Sequence, residues 1–421
     1  MKLGIIGGGT VATGVVKIIT DKKQCFFEKY GFNLEIKSIA VKNIEKERHS
    51  YFKDYEVTTN IDKIVSDEDI HIIVELIGGT TTAKELITKA LNNKKHVVTA
   101  NKELIAKHGK ELFELANKNN VSLHIEASVA GGIPIIQTLN HGLNANKINK
   151  MIGIINGTTN YILTEMTQKK RDFAEVLAEA QKLGYAESDP TDDIEAFDAL
   201  YKLTILSSLA FDKNIDYKEV FREGITNITV KDIEYAEKLG YIIKLLAIAK
   251  QNDDYYEARV HPAMLSKKHP LASVNGAFNA IWLNGDAIGD FMLYGRGAGE
   301  LPTASAVLAD ILSIGMEAKN NSVLVREKNT INISSIDNTT SKYYLRIETT
   351  DKTGIIGIIG KDLGDSEVSI MSLWQEKTEN GNAEIVLITH PVLEKNMKKA
   401  IGLLKESSGI KEISSVIRVE D

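Results

Sequence analysis

The sequence predicts an α/β protein: a doubly wound parallel sheet in its N-terminal third, an α+β region behind it, and a compact β-α-β-β-α-β module at the C-terminus. Three observations carry this reading. Short β-branched runs alternate with helical patterns over the first 127 residues. From about residue 128 that alternation gives way to mixed elements punctuated by Gly131, Gly132 and Pro134. Beyond a polar stretch at 317–342, rich in Asn, Ser and Thr, strand-like and helical runs follow one another in the ferredoxin-like order.

In the first region the expected strands are 3–6, 34–41, 70–76, 96–99 and 122–125, with helices such as 82–92 and 102–117 between them. Strand–helix alternation of this kind makes a parallel sheet. Asn101 stands just after a strand, where a helix N-cap belongs. In the second region a helix is expected to open at Ile133, followed by a strand at 147–155 and helices at 158–167, 173–183 and 194–209. Strand-like runs at 256–260, 279–283 and 287–293 come next, then a helix at 303–314 after a glycine-rich turn. The polar stretch reads as a linker with a possible short strand at 322–325. The closing module places strands at 343–349, 368–375, 383–389 and 413–419, and helices at 355–363 and 394–406.

A chain of 421 residues is too long for one ordinary domain. Its 43 % apolar and 26 % charged residues are those of a globular protein. A net charge of -6 offers no basic face for nucleic acid or for an anionic membrane surface. No apolar run reaches the roughly 18 residues that a spanning helix needs. The single cysteine, Cys25, excludes an internal disulfide and fits a reducing compartment. Lys2 to Ile6 runs straight into glycines without a signal-peptide pattern, so the cytoplasm is the expected location.

Gly7-Gly8-Gly9-Thr10-Val11-Ala12 follows the first strand and opens a helix, matching G-x-G-x-x-G/A. The first glycine permits the tight turn, the second lets backbone approach a pyrophosphate, and small Ala12 lets helix and strand pack. The helix N-terminus offers free N–H groups to the phosphates. This is the fingerprint of a Rossmann-type nicotinamide-dinucleotide site. At the end of the second strand an acidic residue would favour NAD, but Val41-Lys42-Asn43 stands there, with Arg48 nearby. Lys42 suits a 2′-phosphate, so NADP should bind at least as well as NAD.

The densest acidic cluster runs from Glu187 through Asp193 to Asp198, with six carboxylates able to capture a substrate ammonium. Asp198 and Lys202 are four residues apart on a predicted helix, hence on one face. Leu203, Ile205 and Leu206 make that helix apolar, and charges on a buried helix are costly without partners or a task. A buried lysine is a capable general acid or base. Lys102 lies at the C-terminal end of a parallel strand, where open α/β sheets place ligands. At Asn156-Gly157-Thr158 a strand ends and a Thr-rich helix begins, another N-terminus suited to a carboxylate.

The order of motifs is distinctive: GGGTVA at 7–12, ELIGG at 75–79, VVTANKELIA at 97–106, EASVAGGIPII at 126–136, GIINGTTNYIL at 153–163, GYAESDPTDDIEAFDALYKL at 184–203 and GRGAGELPTASAVLAD at 295–310. Together they closely resemble the homoserine dehydrogenases of the monofunctional bacterial type, over nearly the whole chain. The resemblance implies NAD(P)-dependent interconversion of L-aspartate 4-semialdehyde and L-homoserine. It implies that Gly7, Gly9, Thr10 and Val11 line the pyrophosphate, with Gly297 and Gly299 returning near the nicotinamide. Glu187 would hold the substrate ammonium, with Gly157, Thr158 and Asp193 also on the substrate. Lys202 would move the proton, Asp198 would orient it, and Lys102 would face both substrate and nicotinamide. A structural monovalent cation, usually sodium, is implied at Glu126, Val129, Gly131 and Ile133, and a homodimer or higher homo-oligomer by association in the 151–300 region. The implied division is a nucleotide-binding domain at 1–130 with the 301–317 helix, a substrate-binding and dimerisation domain at 131–300, a linker at 318–342 and a regulatory domain at 343–421.

That last module resembles an ACT domain through Asp351-Lys352-Thr353-Gly354-Ile355 and Val368-Ser369-Ile370 leading to Gln375. Such domains bind amino acids at paired interfaces, and in this family commonly sense threonine; a role in assembly alone is the other reading. Two departures stand out. Ala196 occupies a position where the family commonly has glycine, and Thr353 replaces a frequent proline.

Two rival readings are weaker. A semialdehyde-oxidising enzyme with an acyl-thioester intermediate needs a catalytic cysteine, and Cys25 follows the first helix, away from the expected cleft. A non-catalytic sensor has no use for Lys102, Glu187, Asp198 and Lys202 together.

Overall fold

The computed structural model describes residues 1–253, 255–320, 329–377 and 381–420. They gather into two compact units. One comprises Met1–Asn149, Tyr201–Tyr217 and Asn279–Ile331; the other comprises Lys150–Leu200, Lys218–Phe278 and Asn332–Asp421.

The first unit is built on a 6-stranded sheet, in the order Glu56–Thr58, Glu35–Ala40, Lys2–Ile6, Ile72–Glu75, His96–Thr99, Leu123–His124. Every neighbouring pair is parallel. The order reverses between Lys2–Ile6 and Ile72–Glu75, and ligands of such sheets bind outside the carboxyl ends at that switch point. Both strands are almost wholly buried, which is why they read as continuous apolar runs. Helix Thr10–Tyr30 buries Ala12, Val15, Val16 and Ile19 at helical spacing. Helix Glu300–Asn320 packs against it so closely that a Cβ on Gly14 would lie 2.7 Å from the Glu300 carbonyl oxygen.

In the second unit neighbouring strands run Ile148–Ile154, Tyr241–Asn252, Tyr255–Ser266, Ile410–Glu420, Thr340–Thr350, Asn382–Thr389, Ile370–Lys377. The last four of these, with helices Ile355–Gly364 and Glu394–Glu406, make the expected β-α-β-β-α-β module, and its strands pair antiparallel. Ile355, Ile359, Leu363, Met397 and Leu404 fill the core beneath the sheet. The module is joined to its neighbours by a parallel ladder from Ala263–Arg418 to Leu265–Glu420 and by buried charge. Arg346 Nε donates to Asp232 Oδ1 at 2.8 Å, and Tyr344 donates to the same oxygen at 3.2 Å. Asp232 also completes a capping box with Thr229 on helix Val230–Lys238.

Several expectations need correction. The single helix at 194–209 is two: Thr191–Ile194, then Phe197–Ala210. Between them Ala196 has φ +63°, a left-handed conformation in which no α-helix of L-residues continues. The helix placed at Ile133 opens only at Ile135, after Pro134, and passes at once into a π-turn over Thr138–Gly142. Strand Tyr241–Asn252 has no counterpart in the sequence-based reading. Its central run Ile243–Ala249 is buried on both faces, which erases the period-2 alternation that would mark it. The helix expected at 303–314 spans Glu300–Asn320, and the possible strand at 322–325 falls outside the described residues. No described helix is long and apolar enough to cross a membrane.

Candidate active site

In the first unit the glycine turn forms an open cradle. Gly7 has φ +123°, and a Cβ there would lie 2.6 Å from the Leu76 carbonyl oxygen, so only glycine fits. A Cβ on Gly8 would lie 2.8 Å from Val41 Cγ1 and 2.9 Å from Arg48 Nε. Gly9 has nothing within 4 Å of that point. It is also the N-cap of helix Thr10–Tyr30, and as glycine it has no side chain to cap the first-turn N–H groups. Helix N–H groups left for a ligand beside an empty backbone cradle suit a pyrophosphate. Thr10 and Val11 stand in that first turn, and Lys42 is exposed beyond the second strand.

A relay of hydrogen bonds fixes the strand ends next to this turn. Fully buried Glu75 accepts from Ile77 N at 2.8 Å and Gly78 N at 3.2 Å through one oxygen, and from Thr99 Oγ1 at 2.6 Å through the other. Thr99 Oγ1 accepts from Asn101 N at 3.0 Å. Asn101 donates to the Gly79 carbonyl at 2.7 Å and caps helix Lys102–Lys118 by accepting from Leu104 N at 3.1 Å. Lys102 is the first residue of that helix and half-buried. Its backbone is therefore held at a defined point above the sheet.

Two further turns meet in the same unit. Gly131 has φ +49°, and a Cβ on it would lie 2.6 Å from the Gly297 carbonyl oxygen, while Gly132 N donates to the Arg296 carbonyl at 3.0 Å. Gly297 in turn lies against fully buried Asn279: a Cβ there would be 1.9 Å from Asn279 Nδ2. Neither polar atom of the Asn279 side chain has a hydrogen-bond partner among the described residues. Gly299 follows two residues on, and Thr303 N donates to its carbonyl at 3.1 Å. Buried Glu126 accepts from Ile136 N at 2.9 Å and Gln137 N at 2.7 Å, and its own N–H donates to Asp310 Oδ2 at 2.8 Å. Burial pushes the Glu126 carboxyl up to about 7, against the pull of its two backbone donors. Among the described residues no group of three or more His, Cys, Asp and Glu side chains could hold a metal. A cation at Glu126, Val129, Gly131 and Ile133 would thus rest on backbone carbonyls and one carboxylate.

The second unit holds the carboxylate cluster. Asn156 caps helix Gly157–Lys169 by accepting from Thr159 N at 2.8 Å. Its Nδ2 donates to Asp193 Oδ1 at 2.6 Å and to Asp198 Oδ2 at 2.8 Å. Thr158 Oγ1 donates to the Tyr185 carbonyl at 2.7 Å, seating the segment that leads to Glu187, whose carboxylate is exposed. Gly157 abuts the Ala277 carbonyl, where a Cβ would be 3.1 Å away. Asn160 Nδ2 donates to the carbonyls of Val274, Gly276 and Phe278. Asp198 is 3 % exposed and Lys202, one turn along the same helix, 8 %. Both charges are therefore withdrawn from bulk water.

The side chains expected to act together belong to different units: Lys102 and Lys202 to the first, Glu187, Asp193 and Asp198 to the second. Sequence reasoning missed Asn156 as the link between carboxylates, and Glu75, Thr99 and Asn279 as supports. The ELIGG motif was the available signal for Glu75, since a carboxylate at the end of a buried strand needs backbone donors.

A parallel sheet in this order, a glycine cradle at its first turn, and buried carboxylate and ammonium groups on one helix define a nicotinamide-dependent oxidoreductase. Residues 7–126 match the family model for the homoserine dehydrogenase NAD-binding domain, and residues 134–312 that for homoserine dehydrogenase. The homoserine dehydrogenase of Synechocystis sp. is 42 % identical over 431 residues, covering 100 % of this chain and 99 % of the relative. The crystal structure of a homoserine dehydrogenase from Thiobacillus denitrificans matches with a TM-score of 0.95 at 40 % identity, covering 100 % of this chain and 98 % of that one. A hyperthermophilic archaeal homoserine dehydrogenase in complex with NADPH matches with a TM-score of 0.64 at 28 % identity, covering 77 % of this chain and 99 % of that one. The chain belongs to the homoserine dehydrogenase family.

Proposed function

We propose that the chain interconverts L-aspartate 4-semialdehyde and L-homoserine with NADP(H) or NAD(H), using Lys202 and Lys102 as its cationic side chains and Glu187, Asp193 and Asp198 as its anionic ones. The observation that carries the assignment is the Asn156 bridge to Asp193 and Asp198. It anchors the buried helix on which Lys202 follows one turn later.

The nicotinamide, when bound, supplies or accepts the hydride. Gly7, Gly9, Thr10 and Val11 hold the pyrophosphate, with Gly297 and Gly299 returning towards the ring and Lys42 near the ribose. Glu187 takes the substrate ammonium, and Asp193, Gly157 and Thr158 complete the pocket. In reduction Lys202 gives a proton to the carbonyl oxygen as alkoxide character develops; in oxidation it takes the hydroxyl proton. Asp198 orients it, and Lys102 faces both substrate and cofactor. A monovalent cation at Glu126, Val129, Gly131 and Ile133 would brace the turn that presses on Gly297. The domain division stated above, a cytoplasmic location and an ACT-type response to threonine belong to the same reading. So does a homodimer, for which Met292 and Tyr294, exposed on strand Gly289–Arg296, provide apolar surface.

The test is reduction of NADP or NAD by L-homoserine with the full-length chain, from neutral to alkaline pH. Folded protein that reduces neither cofactor overturns the proposal and favours a sensor. Threonine titration of that activity tests regulation. Truncation before residue 343 is a poor companion experiment, because it strips Asp232 of Arg346 and Tyr344 and removes the strand that pairs with Ala263–Leu265 on the outer edge of strand Tyr255–Ser266.

A further inference from the structure

The left-handed residue Ala196 ends helix Thr191–Ile194 and turns the chain into helix Phe197–Ala210, and carbonyls at such a helix end need donors from elsewhere. A distant segment, 222–225, supplies them. Ile225 N donates to the Ile194 carbonyl at 2.9 Å, and Arg222 Nη1 donates to the Glu195 carbonyl at 2.7 Å. Gly224 lets the two stretches meet: a Cβ on it would lie 2.4 Å from the Ile194 carbonyl oxygen. The Arg222 guanidinium also sits 3.5 Å from the centroid of the Phe197 ring. One side chain thus grips the backbone before the break and a ring after it. Its approach to the Glu195 carboxylate is looser, at 3.9 Å, and partly exposed ion pairs of that kind contribute little.

Asp193 comes just before this corner and Asp198 just after it, and both accept from Asn156 Nδ2. The angle of the corner therefore decides whether the two carboxylates can share one amide. The gripping segment is anchored in turn. Strand Phe221–Arg222 pairs with strand Tyr255–Ser266, and Glu223 N donates to the Val260 carbonyl at 2.8 Å. Glu223 Oε2 accepts from Arg418 Nη1 at 2.8 Å, while the same guanidinium donates to Glu394 at 3.0 Å and 2.7 Å. Arg418 and Glu394 are buried and belong to the C-terminal module. Forked pairs of this kind are geometrically specific, so the module fixes Glu223 and, next to it, Arg222.

We propose that Arg222 is a positioning residue for the reaction, setting the corner that brings Asp193 and Asp198 together, and that the Glu223–Arg418 pair ties this corner to the C-terminal module. The proposal rests on the reading that the two carboxylates serve the homoserine site. Arg222 acts on neither substrate nor cofactor; it works through the Glu195 backbone and the Phe197 ring. Misplacing a catalytic group by about 1 Å can cost about a hundredfold in rate, so one hydrogen bond and one ring contact at this corner are enough to matter.

The test is steady-state oxidation of L-homoserine with NADP or NAD by full-length wild type, Arg222→Met, Arg222→Lys and Glu223→Ala, with the denaturation midpoint and cofactor affinity measured on each. Arg222→Met keeps bulk over Phe197 but has no donor, and should lower kcat about tenfold to a hundredfold. Arg222→Lys keeps a donor without the planar fork and should lose only about threefold to tenfold. Glu223→Ala frees the segment from Arg418 and should lose about threefold to tenfold as well. Cofactor affinity should hold within about twofold throughout, since the glycine turn belongs to the first unit. Parental kcat in Arg222→Met or Arg222→Lys overturns the positioning role, and parental kcat in Glu223→Ala overturns the tie to the module. A loss in Arg222→Lys as large as in Arg222→Met, following a fall in the denaturation midpoint, would make Arg222 a structural brace and overturn the proposal too. Should Arg222→Met fail to fold, Arg222→Lys decides alone. Wild-type protein that leaves homoserine unoxidised would instead sink the underlying reading of the site, a separate failure.

Discussion

The side-chain amide of Asn156 donates to Asp198 at 2.8 Å while also donating to Asp193 at 2.6 Å, so one neutral group holds two carboxylates of the candidate site in place. An amide nitrogen has two hydrogens, one for each acceptor. The same residue caps helix Gly157–Lys169 through its oxygen. Asn156→Ser separates the two duties: serine is as good an N-cap as asparagine but is too short to span both carboxylates. The variant should keep the stability of the parent within about 1 kcal/mol and lose roughly tenfold to a hundredfold in kcat, as expected when catalytic groups are misplaced. Chemical denaturation and steady-state kinetics check the two halves. Parental kcat in Asn156→Ser would show that the bridge is only structural.

Lys202→Ala should lower kcat by roughly a hundredfold to ten-thousandfold, the usual range for losing a positioned acid or base. Affinity for NADPH, measured by fluorescence titration, should hold within about twofold because Lys202 has no proposed part in binding the phosphates. Near-normal turnover in the folded variant would remove Lys202 from the proton transfer.

Local patterns were legible and distant ones were not. Asp198 and Lys202 could be paired from the sequence because four residues make one helical turn. Asn156 could not be tied to Asp193 or Asp198, since 37 and 42 residues separate them and only the packed helices bring them together. Strand Tyr241–Asn252 was hidden by burial on both faces, which leaves an apolar run without a period. The glycine fingerprint was readable because its geometry is confined to consecutive residues.

Ala196 sits at φ +63° and is fully buried, at the break between helices Thr191–Ile194 and Phe197–Ala210. An L-residue pays roughly 1–2 kcal/mol for this conformation, while glycine there returns about 0.4–1 kcal/mol through the freer unfolded chain. Ala196→Gly should therefore be neutral or stabilising by up to about 1 kcal/mol, read as a rise in denaturation midpoint. A clear loss of stability would mean that the methyl group contributes packing that outweighs the strain.

Lys244 is fully buried and donates to Asn160 Oδ1 at 3.0 Å, the Val274 carbonyl at 2.6 Å and Asn275 Oδ1 at 3.2 Å. Burial lowers its pKa to about 8. Between that value and the ordinary lysine range the unfolded chain binds more protons than the folded one, so this group makes stability rise with pH. From pH 8 to about 9.5 the gain should be about 1–2 kcal/mol. Lys244→Met should flatten that rise, measured by urea denaturation across the interval. Parallel pH profiles for the two proteins would show that Lys244 stays charged in the fold.

Arg346 and Asp232 form an ion pair at 2.8 Å in which Asp232 is wholly buried and Arg346 is 7 % exposed. The pair joins strand Thr340–Thr350 of the C-terminal module to helix Val230–Lys238. Arg346→Met removes the charge but keeps much of the volume, leaving the buried Asp232 carboxylate with Tyr344 and the Thr229 capping contacts among the described residues, and taking one partner from buried Glu384. Breaking one side of a buried pair costs about 3–5 kcal/mol, so the variant should unfold at clearly lower denaturant. Arg346→Met with Asp232→Leu removes both of these charges and should recover part of that loss, because the buried Asp232 carboxylate is gone and Glu384, the other carboxylate beside Arg346, keeps its pair with Lys231. A double variant no more stable than Arg346→Met would show that the capping box of Asp232, not its charge pairing, is what the module depends on.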